Sequence, residues 1–206
     1  MAPLDRVMML RISGFCGVAG PLIAISLILA AVSRSPWFSW TGNYLSDLGI
    51  NPNVAVLFNS GLIIGGALTA IFAIGLKTTL PGLTRGGVGA ITLFLAAVAL
   101  CCVGIFPETT GIIHRSFAEV FFVLSVITLL LIGSAMMRQP SERNLGLLIF
   151  ITGLFTCVPF IALVVIVRLT QVGGAIPEFL VSLGALVCFI ILAVRLFRQA
   201  PHQVRG

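Results

Sequence analysis

The chemistry open to this chain rests on very few side chains. Six of its residues are acidic, and four of these, Asp47, Glu108, Glu119 and Glu178, stand at or near the ends of long apolar stretches, as do His114 and Arg115. A histidine titrates near neutral pH and, beside a carboxylate, can act as a general acid or base. His114 with Asp47 or Glu178 is therefore the candidate catalytic set. Asp47, Glu108, His114, Arg115, Glu119 and Glu178 could equally present donors and acceptors to a bound polar ligand.

Each of these residues also has a plainer structural reading. Glu119 follows Arg115 by four residues, the spacing of an ion pair on one helix face. Glu178 follows Pro177, and Glu108 follows Pro107, where a proline suits the first helical turn and an acid complements the helix dipole. His114 opens an apolar stretch and reads as a hydrogen-bonded group at a helix start. Capping accounts for the acids singly; their shared depth is what points to a site. Neither a metal nor a cofactor is expected. His202 lies in the C-terminal tail, so paired-histidine haem ligation has no second ligand, and one histidine with carboxylates is the metal set that remains. Gly-x-Ser-x-Gly, His-Glu-x-x-His and the phosphate-cradling glycine loop are all absent from the sequence.

The elements that must position these residues are transmembrane helices. Of 206 residues 59% are hydrophobic and 9% charged, and the mean hydropathy is +1.18, far from the balance of a water-soluble domain. A hydrocarbon core of roughly 30 Å takes about 20 apolar helical residues to cross. The expected fold is an all-α integral membrane protein, a single domain over 1–206 in which six spans form a helix bundle. The spans fall at about 12–33, 54–76, 86–106, 112–136, 145–168 and 177–197. Charges, Pro or Gly mark every break, as at Arg34, Asn51-Pro52, Lys77 with Pro81-Gly82, Pro107-Glu108, Arg138 with Pro140, and Gly173-Gly174. Strands of a barrel would alternate in polarity over about ten residues, whereas these runs are continuous and about twice as long.

Topology follows from the basic residues. With the N-terminus inside, Arg6, Arg11, Lys77, Arg85, Arg138, Arg143, Arg195, Arg198 and Arg205 are cytoplasmic, against Arg34, Arg115 and Arg168 outside. This bias places both termini in the cytoplasm. The four acids then share the outer side, while the inner side reads as ordinary basic anchoring. The net charge of +6 is scattered at span ends, not clustered on one solvated face, so no nucleic-acid partner is expected. The apolar run after Arg11 exceeds a typical signal-peptide core of roughly 7–15 residues, so a retained first span is expected. Trp37, Trp40 and Tyr44 place the loop at about 34–53 at the outer interface. The five cysteines lie in apolar stretches and read as small core residues. Gly61, Gly65 and Gly66 mark close helix packing, within the bundle in preference to a dimer.

The residue order YLSDLG at 44–49, LFNSGLIIGG at 57–66, GIFPETTGIIH at 104–114 and AIPE at 175–178 resembles a small prokaryotic membrane family, domain of unknown function 998, over about residues 40–198. More distantly, Ser46-Asp47-Leu48-Gly49, the Thr109-Thr110 run before His114 and the acid of the last span are similar to the eukaryotic damage-regulated autophagy modulator group. The resemblance implies a multi-pass protein of the prokaryotic cytoplasmic membrane and adds Ser46 and Asn59 to the candidate ligand-binding positions. It implies no settled activity. The leading expectation is a protein that binds a membrane lipid headgroup or other small polar ligand in the outer polar layer. The alternatives are an accessory subunit whose polar layer is structural, and a hydrolase acting on a lipid. A transporter would want polar groups at mid-membrane and broken helices, for which Pro159 is the sole sign.

Overall fold

Runs of apolar residues long enough to cross a bilayer become helices, because lipid offers backbone amides and carbonyls no other partner. The computed structural model describes residues 3–80, 85–170 and 172–199. Its main elements are α1 (Pro3–Ser33), α2 (Ala55–Thr79), α3 (Arg85–Ile105), α4 (Ile112–Met136), α5 (Arg143–Thr170) and α6 (Ala175–Gln199). Six helices are long and apolar enough to span a membrane, and the protein is an integral, multi-pass membrane protein. The Pro81-Gly82 break, the Arg168 side chain, His202 and Arg205 lie outside the described residues.

Five helices begin and end within a few residues of the apolar runs. By contrast, α1 starts at Pro3, well before residue 12. Hydropathy registers only the part that lipid surrounds, whereas Leu4, Arg6, Met8 and Arg11 are good helix formers. At 31 residues and about 1.5 Å per residue, α1 is roughly 46 Å long and overshoots a 30 Å core.

Each helix packs against the next, and α1 packs against α6, which closes an up-and-down ring. Leu10, Phe72, Leu93, Leu129, Ile132 and Leu192 fill its interior. Ile71 and Ile74 of α2 and Phe155 and Val158 of α5 are exposed on the outer face. Apolar side chains on both faces suit a ring bathed in lipid. The glycines of α2 serve the packing expected of them. A Cβ on Gly65 would meet Ala24 of α1 at 2.7 Å, and one on Gly66 would meet the Ala97 carbonyl of α3 at 2.7 Å. All five cysteines are unpaired, with Cys16 and Cys188 buried.

An up-and-down ring gathers its α1–α2, α3–α4 and α5–α6 connections at one end. The first carries a short 3-10 helix, Leu45–Gly49, and the second another, Glu108–Thr110. The 34–53 loop does more than lie along a surface. Trp37 is exposed, but Leu45, Leu48 and Val54 are buried against Ile28 and Phe58, so the loop plugs the ring. At the other end, Arg195 Nε lies 2.6 and 2.8 Å from the two carboxylate oxygens of Glu142. That pair is largely shielded from solvent, so this end holds a specific ion pair in addition to its basic anchors.

Candidate functional site

The plug is fixed by the polar residues that its own sequence supplies. Asp47 accepts hydrogen bonds on Oδ2 from the Tyr44 N–H at 3.0 Å and from the Asn43 amide at 2.7 Å. These contacts start the Leu45–Gly49 helix. Asn59 Nδ2 donates to the Gly49 carbonyl at 2.9 Å and secures its end. Glu178, in the first turn of α6, accepts the Leu45 N–H at 2.7 Å. Beside it, the Gly173 N–H donates to the Thr41 carbonyl and the Ala175 N–H to the Asn43 carbonyl, each at 2.9 Å. A strap of three hydrogen bonds thus ties the plug to α6. Trp40 packs edge-on against Phe179 across it, with ring centroids 5.3 Å apart.

The Glu108–Thr110 helix is the facing wall. It ends at Gly111, whose φ of 63° turns the chain into α4 through a conformation that side chains strain to adopt. His114 follows and is buried, 7% exposed. Its Nδ1 lies 2.7 Å from the Phe106 carbonyl oxygen. That oxygen can only accept, so Nδ1 is the donor in this bond. Phe106 also stacks on Phe117 of α4, which braces the end of α3 against His114.

Between plug, wall and helices lies a chamber of about 500 Å³, within the range of small-molecule sites. Tyr44, Ser46, Glu108, His114, Arg115, Glu119 and Glu178 line its polar side, and Ala118, Phe122 and Phe160 its apolar side. Glu108 faces Asp47 and Ser46. Burial first, then the Asp47 carboxylate, hold its pKa above the ordinary carboxylate range, and its Oε2 is buried without a hydrogen-bond partner. The Tyr44 phenol is pushed up by burial and by Glu178 and Glu108.

The residues singled out in the sequence divide accordingly. Ser46, Glu108, His114, Arg115, Glu119 and Glu178 come together around the chamber. Asp47 stands behind Glu108 with one oxygen committed to the plug, and Asn59 braces the plug from α2. Both Arg115 and Glu119 are exposed at the rim. Also among the described residues, no three of the His, Cys, Asp and Glu side chains group as a metal-ligand set. Sequence reasoning missed Phe160, which reaches the chamber from α5 and has no polar mark to single it out. It read Tyr44 as an interfacial aromatic; a tyrosine two residues before a polar Ser-Asp pair was the available signal. Chemically, the chamber offers an unpartnered carboxylate oxygen, an imidazole nitrogen, a guanidinium and an aromatic wall.

A family model described as "Protein of unknown function (DUF998)" matches residues 18–195, a range that holds the plug, the wall and the start of α6. No curated protein and no solved structure matches the chain.

Proposed function

The chain belongs to the DUF998 family, and we propose that its chamber binds the headgroup of a membrane lipid, specifically one that carries an ammonium group. The observation that carries this reading is the composition of the chamber wall. Among the described residues, Glu108 and Glu178 line it with carboxyl oxygens beside the Arg115 guanidinium, and these acceptors favour a donor-rich cation. Glu108 Oε2, buried and without a partner, is the acceptor that a bound ammonium satisfies. His114 lines the same wall, and Phe122 and Phe160 offer ring faces of the kind that attract cations. Arg115 at the rim suits the phosphate of the same headgroup. On the positive-inside reading of the sequence, the chamber opens toward the outer leaflet.

The test uses the full chain in phosphatidylglycerol nanodiscs, whose lipid carries no ammonium, titrated with glycerophosphoethanolamine, a headgroup without chains, and followed by calorimetry. Saturable binding that weakens at least tenfold in Glu108→Gln, and several-fold in Arg115→Ala, is the expected result. Equal binding by wild type and both variants, or none by wild type, would overturn it.

One observation favours a second reading, a polar layer that only locks helices together. Asp47 and Glu178 already hold backbone N–H groups. On that reading Glu108→Gln leaves no trace on ligand binding, so the same titration separates the two.

A further inference from the structure

Beneath the chamber are two smaller cavities. One, of about 60 Å³, shares Ser46, His114 and Glu178 with the chamber wall, and adds Ile28, Leu62 and Leu100. The other, of about 70 Å³, lies deeper inside the ring. It shares Ile28, Leu62, Leu100 and Ser182 with the first and continues along Ala97 and Phe189. The three cavities therefore follow one another from the polar end into the middle of the bundle. Their character changes along the way, from carboxylates and imidazole to a wall almost wholly aliphatic and aromatic. Small residues open the deep cavity: Gly20 and Ala24 of α1, Gly65 of α2, and Ala96 and Ala97 of α3 line it.

A ligand that fills all three must be polar at one end and apolar at the other, and its apolar part must be thin. At roughly 10–15 Å³ of such space per water-sized group, the two lower cavities together take about ten methylene-sized groups in single file. That is one medium-length chain, and there is no room for two side by side. Water is a poor occupant, since it needs two to four polar partners and the deep wall offers chiefly the Thr69 and Ser182 hydroxyls. In lipid an apolar chain gains nothing by merely leaving the bilayer, so selection here is by shape.

We propose that the ligand is a single-chain amphipath, a lysolipid-like molecule that sets its ammonium headgroup in the chamber and threads its chain past His114 into the ring. This rests on the headgroup reading above and names the molecule that carries the headgroup.

The experiment uses wild-type protein in phosphatidylglycerol nanodiscs with lysophosphatidylethanolamines of 6 to 18 carbons, quantified by native mass spectrometry. Affinity should rise with chain length to about ten to twelve carbons and then level off, with an overall gain of at least tenfold over glycerophosphoethanolamine. The two-chain phosphatidylethanolamine should compete at least tenfold more weakly than the lysolipid. Ser182→Phe, which fills the junction of the two lower cavities, should cancel the chain-length gain and leave glycerophosphoethanolamine binding unchanged. An affinity independent of chain length in the wild type sinks the proposal even if Ser182→Phe fails to fold. Binding of the chainless headgroup with no added gain from a chain would overturn the threading alone. Failure of both probes to bind overturns the chamber reading with it.

Discussion

Glu108 is the residue on which stability and binding pull in opposite directions. Its folded pKa is raised, by burial and by Asp47, above the value that it takes in the unfolded chain. Folded protein therefore keeps a proton that the unfolded chain gives up, and the stability this contributes is fully present below the unfolded pKa and lost as pH rises through the folded one. In Glu108→Gln the amide can donate to Asp47 and has no charge to desolvate. The melting temperature of that variant should exceed wild type by a few degrees at pH 8, for a gain on the order of 1 kcal/mol. The difference should vanish toward pH 4. Affinity for an ammonium ligand runs the other way, rising with pH as Glu108 ionises, and is lost in the glutamine variant. A melting curve whose pH dependence is the same in both proteins would show that Glu108 is not the group responsible. Residue types at this scale were legible in the sequence: six of the eight candidate ligand-binding positions line the chamber. Asn59 and Asp47 were legible as polar, but their partners, the Gly49 carbonyl and the Tyr44 N–H, lie within a turn whose inward course depends on what it plugs.

At the level of elements, the strap between plug and α6 decides whether the chamber has a roof. Gly173 runs so close to the backbone of Gly42 and Asn43 that an added Cβ would collide with it. This explains the glycine by approach alone, without appeal to an unusual φ. Gly173→Val should push the strands of the strap apart and break the Gly173–Thr41 and Ala175–Asn43 hydrogen bonds, at a cost of about 1–3 kcal/mol. Hydrogen exchange is the telling measurement. Amides of Leu45 and Ala175 should lose protection selectively while the middle of α3 keeps it, whereas uniform loss would mean global unfolding. Hydropathy gave the six helices readily, because a run of about 20 apolar residues has one stable conformation in lipid. It could not give the strap, since Thr41 and Gly173 meet only when α1 and α6 close the ring, and nothing in either segment announces the other. The Glu142–Arg195 pair was hidden for the same reason, its members standing 53 positions apart in the sequence.

On the scale of the whole molecule, the chamber can act on lipid only from the side to which it opens, and a ring of six helices leaves two possibilities. The even number of spans puts the start of α1 and the end of α6 opposite the plug, at the end that also holds Lys77, Arg138, Arg143 and Arg198. Basic residues close to span ends are retained in the cytoplasm during insertion, whereas the plug end offers Arg34, Arg115 and, by its place near the end of α5, Arg168. The chamber should therefore face away from the cytoplasm and draw its ligand from the outer leaflet. A cysteine placed at Asn53, which is exposed beside the plug, should react with a membrane-impermeant maleimide in intact cells. One placed at Ser141, exposed at the opposite end, should react only after permeabilisation. The five native cysteines lie within the helices and are removed first, so that labelling reports the introduced site alone. The reverse pattern would leave the chamber intact but move its ligand to the inner leaflet. Labelling of both sites in intact cells would mean dual insertion, which so strong a charge bias argues against.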